Sequence, residues 1–256
     1  MKFKLYKEKP NDIKFGKLYV TSLDVPFDDT KRTIRVYVPK GYDENDKSKR
    51  YKVLYMSDGQ NIVDKYTSAY GAWDLDVVVN DLTKEGYEPP IIVGIDSPKS
   101  DIKRINELCS PVPTNKKGIN ISSPIGNEFV DFVFDVVKPL VDSTFNTLSD
   151  KENTGIGGSS MGGLMAFYAY AYKKDKVGFS LCFSPAFFLY KKDIFLEGLR
   201  KWKPSKKDYG KIFFFVGGKE FESLFVNRTL DMYSYLKNSG FKDDQVAIIY
   251  DSLKGH

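Results

Sequence analysis

The sequence predicts an α/β protein: a mostly parallel central sheet flanked by helices, in a single domain over residues 1–256. Three observations predict it. Short apolar, β-branched runs recur along the chain, helical patterns fill the gaps between them, and no Gly/Ser/Pro-rich linker interrupts the series. With 256 residues, 41% of them hydrophobic and 29% charged, the core is large enough to need no disulfide staples. The two cysteines, Cys109 and Cys182, make no disulfide framework, and Cys182, inside Phe179–Phe183, reads as a small buried hydrophobe.

The strands come in order. Thr33 to Val38 alternates and stops at Pro39, as an early exposed strand would. Lys52 to Met56 ends in Ser57-Asp58-Gly59. Pro90 to Ile95 is nearly continuous in apolar residues, which suits a parallel strand covered on both faces. Four more follow at Thr154–Gly158, Gly178–Phe183, Lys211–Val216 and Gln245–Tyr250. Helices are expected at Asp74–Leu82, Glu128–Val141, Gly162–Tyr172 and Leu224–Leu236. The second places Phe129, Phe132, Val133, Val136, Val137 and Leu140 at three- and four-residue steps, with Pro139 as a kink near its end.

The formal charge of +5 is carried by lysines scattered among acidic residues, as in Asp43–Arg50. Nucleic-acid binders concentrate such charge on one face beside a matching motif, so no nucleic-acid partner is expected. Charged residues follow Met1 at once, and no run of 18 apolar residues occurs. The expectation is a soluble, cytoplasmic protein with no membrane partner, a secreted mature chain being the alternative.

The chemistry centres on Gly158-Ser159-Ser160-Met161-Gly162. A Gly-x-Ser-x-Gly string alone arises by chance in about one chain in ten. Here it follows a predicted strand and opens a predicted helix, the setting of a nucleophile on a sharp turn, with small neighbours at Gly158 and Gly162. The helix amino terminus turns N–H groups toward developing negative charge. A phosphate loop is disfavoured because no Gly-Lys-Ser/Thr and no Gly-x-Gly-x-x-Gly is present.

A serine hydroxyl needs a base, and His256, the last residue, is the sole histidine. It follows the final predicted strand, where the order Ser…acid…His puts the base. Glu220 and Glu222, after the Lys211–Val216 strand, are both candidates for the acid, with Asp251 a distant third. Oxyanion donors are expected at Met161 and in Asp58-Gly59-Gln60-Asn61, from Gln60 or Asn61.

These pieces resemble the putative esterase family of α/β hydrolases, the group related to esterase D. That group includes feruloyl and acetylxylan esterases, S-formylglutathione hydrolases and enterobactin-type siderophore esterases. The resemblance runs from about residue 30 to the end, through Tyr51–Asn61, Gly71-Ala-Trp-Asp74, Ile91–Asp96, Arg104–Glu107, Gly157–Leu164, Phe183-Ser-Pro185, Val216–Glu220 and Gly255-His256. It implies an α/β-hydrolase fold without a large lid domain and a Ser160–His256–Glu220 triad. Glu220 is favoured because the family's acid takes the fourth position of a Gly-x-x-Asp/Glu turn. It also implies oxyanion donors at Met161 and Gln60, and offers Asn61, Arg104 and Trp73 as substrate-binding candidates. The family continues past Gly-His with a closing helix, whereas this sequence stops at the histidine, so the expected domain lacks that helix. The aromatic segment Ala186–Asp208 (Phe187, Phe188, Tyr190, Phe195, Trp202) is expected in core packing or along an acyl pocket.

The reaction implied is acyl transfer from a small-molecule or carbohydrate-linked ester to water through an acyl-enzyme, with no metal or organic cofactor. Acetyl or feruloyl esters are the expected substrates. The alternatives are a siderophore trilactone, a thioester, or a non-catalytic binding protein on the same scaffold.

Overall fold

In a computed structural model, which describes residues 2–68, 71–110, 121, 123–190, 210–219 and 223–255, the chain gathers into two compact units. One comprises Met1–Pro98 and Asp131–Thr154, the other Lys99–Val130 and Gly155–His256.

The first unit opens with two strands that apolar periodicity does not mark, β1 (Lys4–Leu5) and β2 (Lys17–Val25). β2 pairs antiparallel with β3 (Asp28–Val38) from Lys17↔Val38 to Val25↔Asp28. On its other side β3 pairs antiparallel with β5 (Ile91–Ile95), which runs parallel to β4 (Val53–Ser57). The order in this unit is thus β1-β2-β3-β5-β4. The expectation of an exposed strand at Thr33–Val38 is corrected: Ile34, Val36, Tyr37 and Val38 are all buried, because β3 has a strand on each side and is interior to the sheet. Helix α1 (Leu75–Lys84) carries a buried carboxylate, Asp76, whose Oδ2 accepts the N–H groups of Lys14 (2.7 Å) and Phe15 (3.0 Å) and ties down the amino-terminal segment.

Helix α2 (Asp101–Glu107), absent from the expected elements, is short and capped by Ser100. The long helical pattern of residues 128–141 is realised as α3 (Gly126–Asp131), a π-helical stretch (Phe132–Val137) and α4 (Lys138–Thr144). Pro139 has no N–H to donate and crowds the carbonyl four residues back; the wider π turn immediately before it fits both facts. A wide turn also rotates the following face. Val136, expected inside, is exposed, while Phe134 is buried against Tyr55 with ring centroids 5.5 Å apart.

In the second unit β6 (Thr154–Ser159), β7 (Phe179–Phe183), β8 (Lys211–Gly217) and β9 (Val246–Asp251) pair in sequence order, all parallel. Helix α5 (Met161–Tyr172) is apolar all round and almost wholly buried, as a helix with no polar face must be. Phe167 on α5 meets Phe187 edge-on at 5.3 Å, and both rings meet Phe214 of β8. Phe188 packs on Phe225 of α6 (Ser223–Asn238) at 4.8 Å. Phe187 and Tyr190 are therefore core residues; Phe195 and Trp202 lie outside the described residues. Among the described residues no helix is long and apolar enough to cross a membrane.

Candidate active site

The turn between β6 and α5 is one residue long. Ser159 ends the strand, Met161 begins the helix, and Ser160 between them takes φ 59°, ψ −118°. That is a positive-φ conformation that a side chain disfavours, and the surroundings hold it in place. Ser160 N–H donates to Phe183 O (2.9 Å), and Ser160 O accepts from both Ala186 N–H (3.0 Å) and Leu164 N–H (3.0 Å). The clamp is itself braced, because Ser184 (φ 39°) donates its N–H to Phe215 O at 2.7 Å. Space decides the next position: a Cβ on Gly163 would stand 2.8 Å from Phe183 O and 3.1 Å from Gly158 O. The half-buried Ser160 side chain makes no capping bond to its own helix. The first N–H groups of α5, from Met161 onward, precede the first intrahelical bond and face the site with the positive end of the helix dipole.

The carboxyl ends of β8 and β9 converge. Gly218 N–H donates to Asp251 O (2.9 Å) and Lys219 N–H to Lys254 O (3.0 Å). A Cβ on Gly217 would lie 2.4 Å from Gly255 O, so only glycine permits this approach. Lys219 and Gly255 are the described residues adjoining Glu220 and His256, whereas Glu220, Glu222 and His256 themselves lie outside the described residues. Asp251 uses its carboxylate locally, accepting Leu253 N–H at 2.9 Å.

In the first unit β4 runs out into a single 3₁₀ turn, Gly59–Asn61, entered through Asp58 at φ 56°, ψ 47°. Its Gly59 rests on the backbone of β5: a Cβ there would stand 2.5 Å from Gly94 C and 2.7 Å from Ile95 N. Asn61 N–H is committed to Asp58 O (2.9 Å), and Asn61 O accepts Trp73 N–H (2.8 Å). Gln60 N–H precedes the turn's first bond. Its side-chain oxygen accepts Ser97 N–H at 2.9 Å, and its carbonyl accepts the Thr67 hydroxyl at 2.7 Å.

A family model described as Putative esterase matches residues 28–210, a span holding Gln60, Asn61, Trp73, Arg104, Ser160 and Met161 but ending before Glu220 and His256. The chain belongs to the Putative esterase family. Solved structures agree on the fold. An IroE-like serine hydrolase from Shewanella oneidensis matches with TM-score 0.73 at 16% identity, over 93% of this chain and 74% of that one. Siderophore hydrolase EstB from Aspergillus nidulans matches with TM-score 0.69 at 15% identity, over 96% and 92%. A ferulic acid esterase matches with TM-score 0.64 at 16% identity, over 93% and 91%. The esterase thus has the α/β-hydrolase fold read from its sequence, a mixed and mostly parallel sheet flanked by helices, with no large extra domain among the described residues.

Of the predicted site residues, Ser160, Met161 and Arg104 belong to the second unit of the esterase, and Gln60, Asn61 and Trp73 to the first. Trp73 and Arg104 are half-buried. Burial pushes the Cys109 thiol up to about 11, opposed by its hydrogen bond with Tyr190 and then by the charge of Arg104 on α2. The Cys182 thiol is pushed up to about 12 by burial, eased by its contact with Ser180. Both cysteines are fully buried, the setting of a structural thiol. Ser97 escapes sequence reasoning, although it directly follows the family motif Ile91–Asp96. Nothing in its type or spacing announces contact with the Asp58–Asn61 turn, since the two meet only through the pairing of β4 with β5.

Proposed function

We propose that this esterase is a serine carboxylic-ester hydrolase working through Ser160, His256 and Glu220 and a covalent acyl-enzyme. Its substrate on this reading is a carbohydrate-linked acetyl or feruloyl ester, or a similar small ester. The observation that carries the reading is the backbone of Ser160. A strained turn is clamped by three hydrogen bonds at the amino end of a buried helix, and the side chain takes no part in capping. Proteins keep such strain where a reactive group must stand clear of both strand and helix.

His256 takes the hydroxyl proton as Ser160 Oγ attacks the ester carbonyl carbon. Charge gathers on the former carbonyl oxygen and is met by the N–H groups of Met161 and Gln60. Collapse of the tetrahedral intermediate breaks the bond to the alkoxide, which leaves with the proton from His256. Water then cleaves the acyl-enzyme by the same route, and Glu220 orients the imidazole and stabilises its charged form. Commitment of Asn61 N–H to Asp58 O supports Gln60 as the first-unit donor. Contact of the segment before Glu220 with the segment before His256 supports their pairing.

The test is labelling with a fluorophosphonate, mapped by peptide sequencing, alongside hydrolysis of short aryl esters. Label on Ser160 and loss of both signals in Ser160→Ala are expected; folded protein that shows neither signal would sink the reading. Likeness to a siderophore hydrolase supports a second reading, a siderophore trilactone. Relative kcat/KM across feruloyl, acetyl-sugar, thioester and trilactone substrates separates the two.

A further inference from the structure

The Gly59–Asn61 turn has to present one backbone N–H in a fixed direction, yet a three-residue 3₁₀ turn has little rigidity of its own. Its stiffness comes from the strand beside it. The Ser97 hydroxyl donates to the Asp58 carboxylate, a charge-assisted bond to the residue that enters the turn. Ser97 N–H donates to Gln60 Oε1 at 2.9 Å. A single residue thus grips the turn on both sides of Gly59, while Gly59 itself lies on the backbone of Gly94.

Ser97 is anchored in its turn by a nearly buried ion pair. Arg35 meets Asp96 with two parallel bonds, Nε to Oδ1 at 2.7 Å and an amino nitrogen to Oδ2 at 2.9 Å. Arg32, fully buried, donates to the Asp96 carbonyl at 3.1 Å. The Asp96–Ser97 peptide is therefore fixed from β3, and Ser97 transmits that fixity to the turn.

We propose that Ser97 is a positioning residue for the oxyanion hole, setting the direction of Gln60 N–H through its bonds to Asp58 and to the Gln60 side chain. The proposal rests on the serine-esterase reading above. An oxyanion donor acts on the transition state, so misdirecting it lowers kcat and leaves ground-state binding alone.

The experiment compares Ser97→Ala, Ser97→Thr and Asp58→Asn with the wild type on a short aryl ester. Each is also titrated with an alkyl boronic acid, whose serine adduct mimics the tetrahedral intermediate. Removing an oxyanion donor outright costs ~10²–10³ in kcat, so loosening one by Ser97→Ala is expected to cost about 10- to 100-fold. KM stays within about twofold, and boronate affinity falls in parallel with kcat, because only transition-state complementarity is lost. Ser97→Thr restores the hydroxyl and recovers most of both quantities. Asp58→Asn tolerates the left-handed backbone and still accepts the hydroxyl, so it shows a smaller loss with the same signature and serves if Ser97→Ala does not fold. Unchanged kcat and boronate affinity in Ser97→Ala or Asp58→Asn, or a change in KM alone, overturns the positioning role. Ser160→Ala is run in parallel: hydrolysis that survives it overturns the esterase reading and the positioning role together. Hydrolysis abolished by it, with Ser97 indifferent, removes the positioning role only.

Discussion

Replacing Ser160 by glycine and by alanine separates the conformational demand of the turn from its chemistry. On the proposed mechanism both variants lack the nucleophile, and both are expected to be inactive. Ser160→Ala keeps the Cβ that φ 59°, ψ −118° penalises, and three backbone hydrogen bonds of 2.9–3.0 Å prevent the turn from relaxing. Such a conformation costs on the order of 1–3 kcal/mol for a residue with a side chain. Glycine removes that cost and gives back about 0.5–1 kcal/mol through the greater freedom of its unfolded chain. The Ser160 hydroxyl caps no helix N–H, so no capping bond offsets the comparison. The balance favours glycine over alanine by about 0.5–2 kcal/mol. For a 256-residue chain the unfolding entropy is about 540 cal/mol/K, and the difference becomes ~1–4 °C in Tm. Thermal melts of the two variants in one buffer, followed by circular dichroism, measure it. Ser160→Gly melting at or below Ser160→Ala would refute the claim that the turn holds backbone strain.

Three further outcomes are expected. Glu220→Gln lowers kcat by on the order of 10³–10⁴, whereas Glu222→Gln stays within a few-fold; the reverse pattern moves the acid to Glu222. Neither cysteine reacts with a disulfide reagent at mildly alkaline pH in the native protein, and both react after unfolding in guanidinium chloride; rapid native labelling would contradict their burial. The Tyr6 phenol is pushed up to about 12, by burial first and then by its 3.0 Å bond to Asp64. A raised phenol favours the protonated folded state. Its contribution is therefore full below pH 10.0 and is lost as pH rises through about 12. The stability gap between wild type and Tyr6→Phe closes over that window, and a gap unchanged across it would rule out the coupling.

Of the strands that apolar runs revealed, β4 and β5 are buried along their whole length and β6 along nearly all of it, so burial writes itself into composition; β9 shows the limit, since its apolar run leaves Ile249 and Tyr250 exposed. β1 and β2 left no such mark. β2, Lys-Leu-Tyr-Val-Thr-Ser-Leu-Asp-Val, keeps no strict alternation and buries only Leu18, Leu23 and Val25, and it is a strand because β3 supplies its hydrogen bonds. The helical segment around Pro139 was legible in extent and in most of its inner face, since Phe129, Phe132, Val133 and Val137 are buried as expected, but not at Val136. A three- and four-residue pattern assumes a regular turn, and the π-helical stretch moves Val136 out and Phe134 in.

What the sequence determined by itself is the family and the candidate chemical core proposed for this esterase. Ser160 lies between two glycines where a strand gives way to a helix, with one histidine and a pair of acids downstream in the order Ser, acid, His that the family resemblance implies. Those features are local or ordinal, and a chain carries local geometry and order explicitly. Tertiary structure decided what holds the parts in place. The clamp from Phe183 and Ala186 on Ser160, the convergence of Lys219 with Lys254, and the grip of Ser97 on Asp58 and Gln60 all join residues far apart in sequence. Each is set by strand register, which no stretch of sequence encodes alone: it emerges only when neighbouring strands bury their side chains and satisfy their backbone groups together.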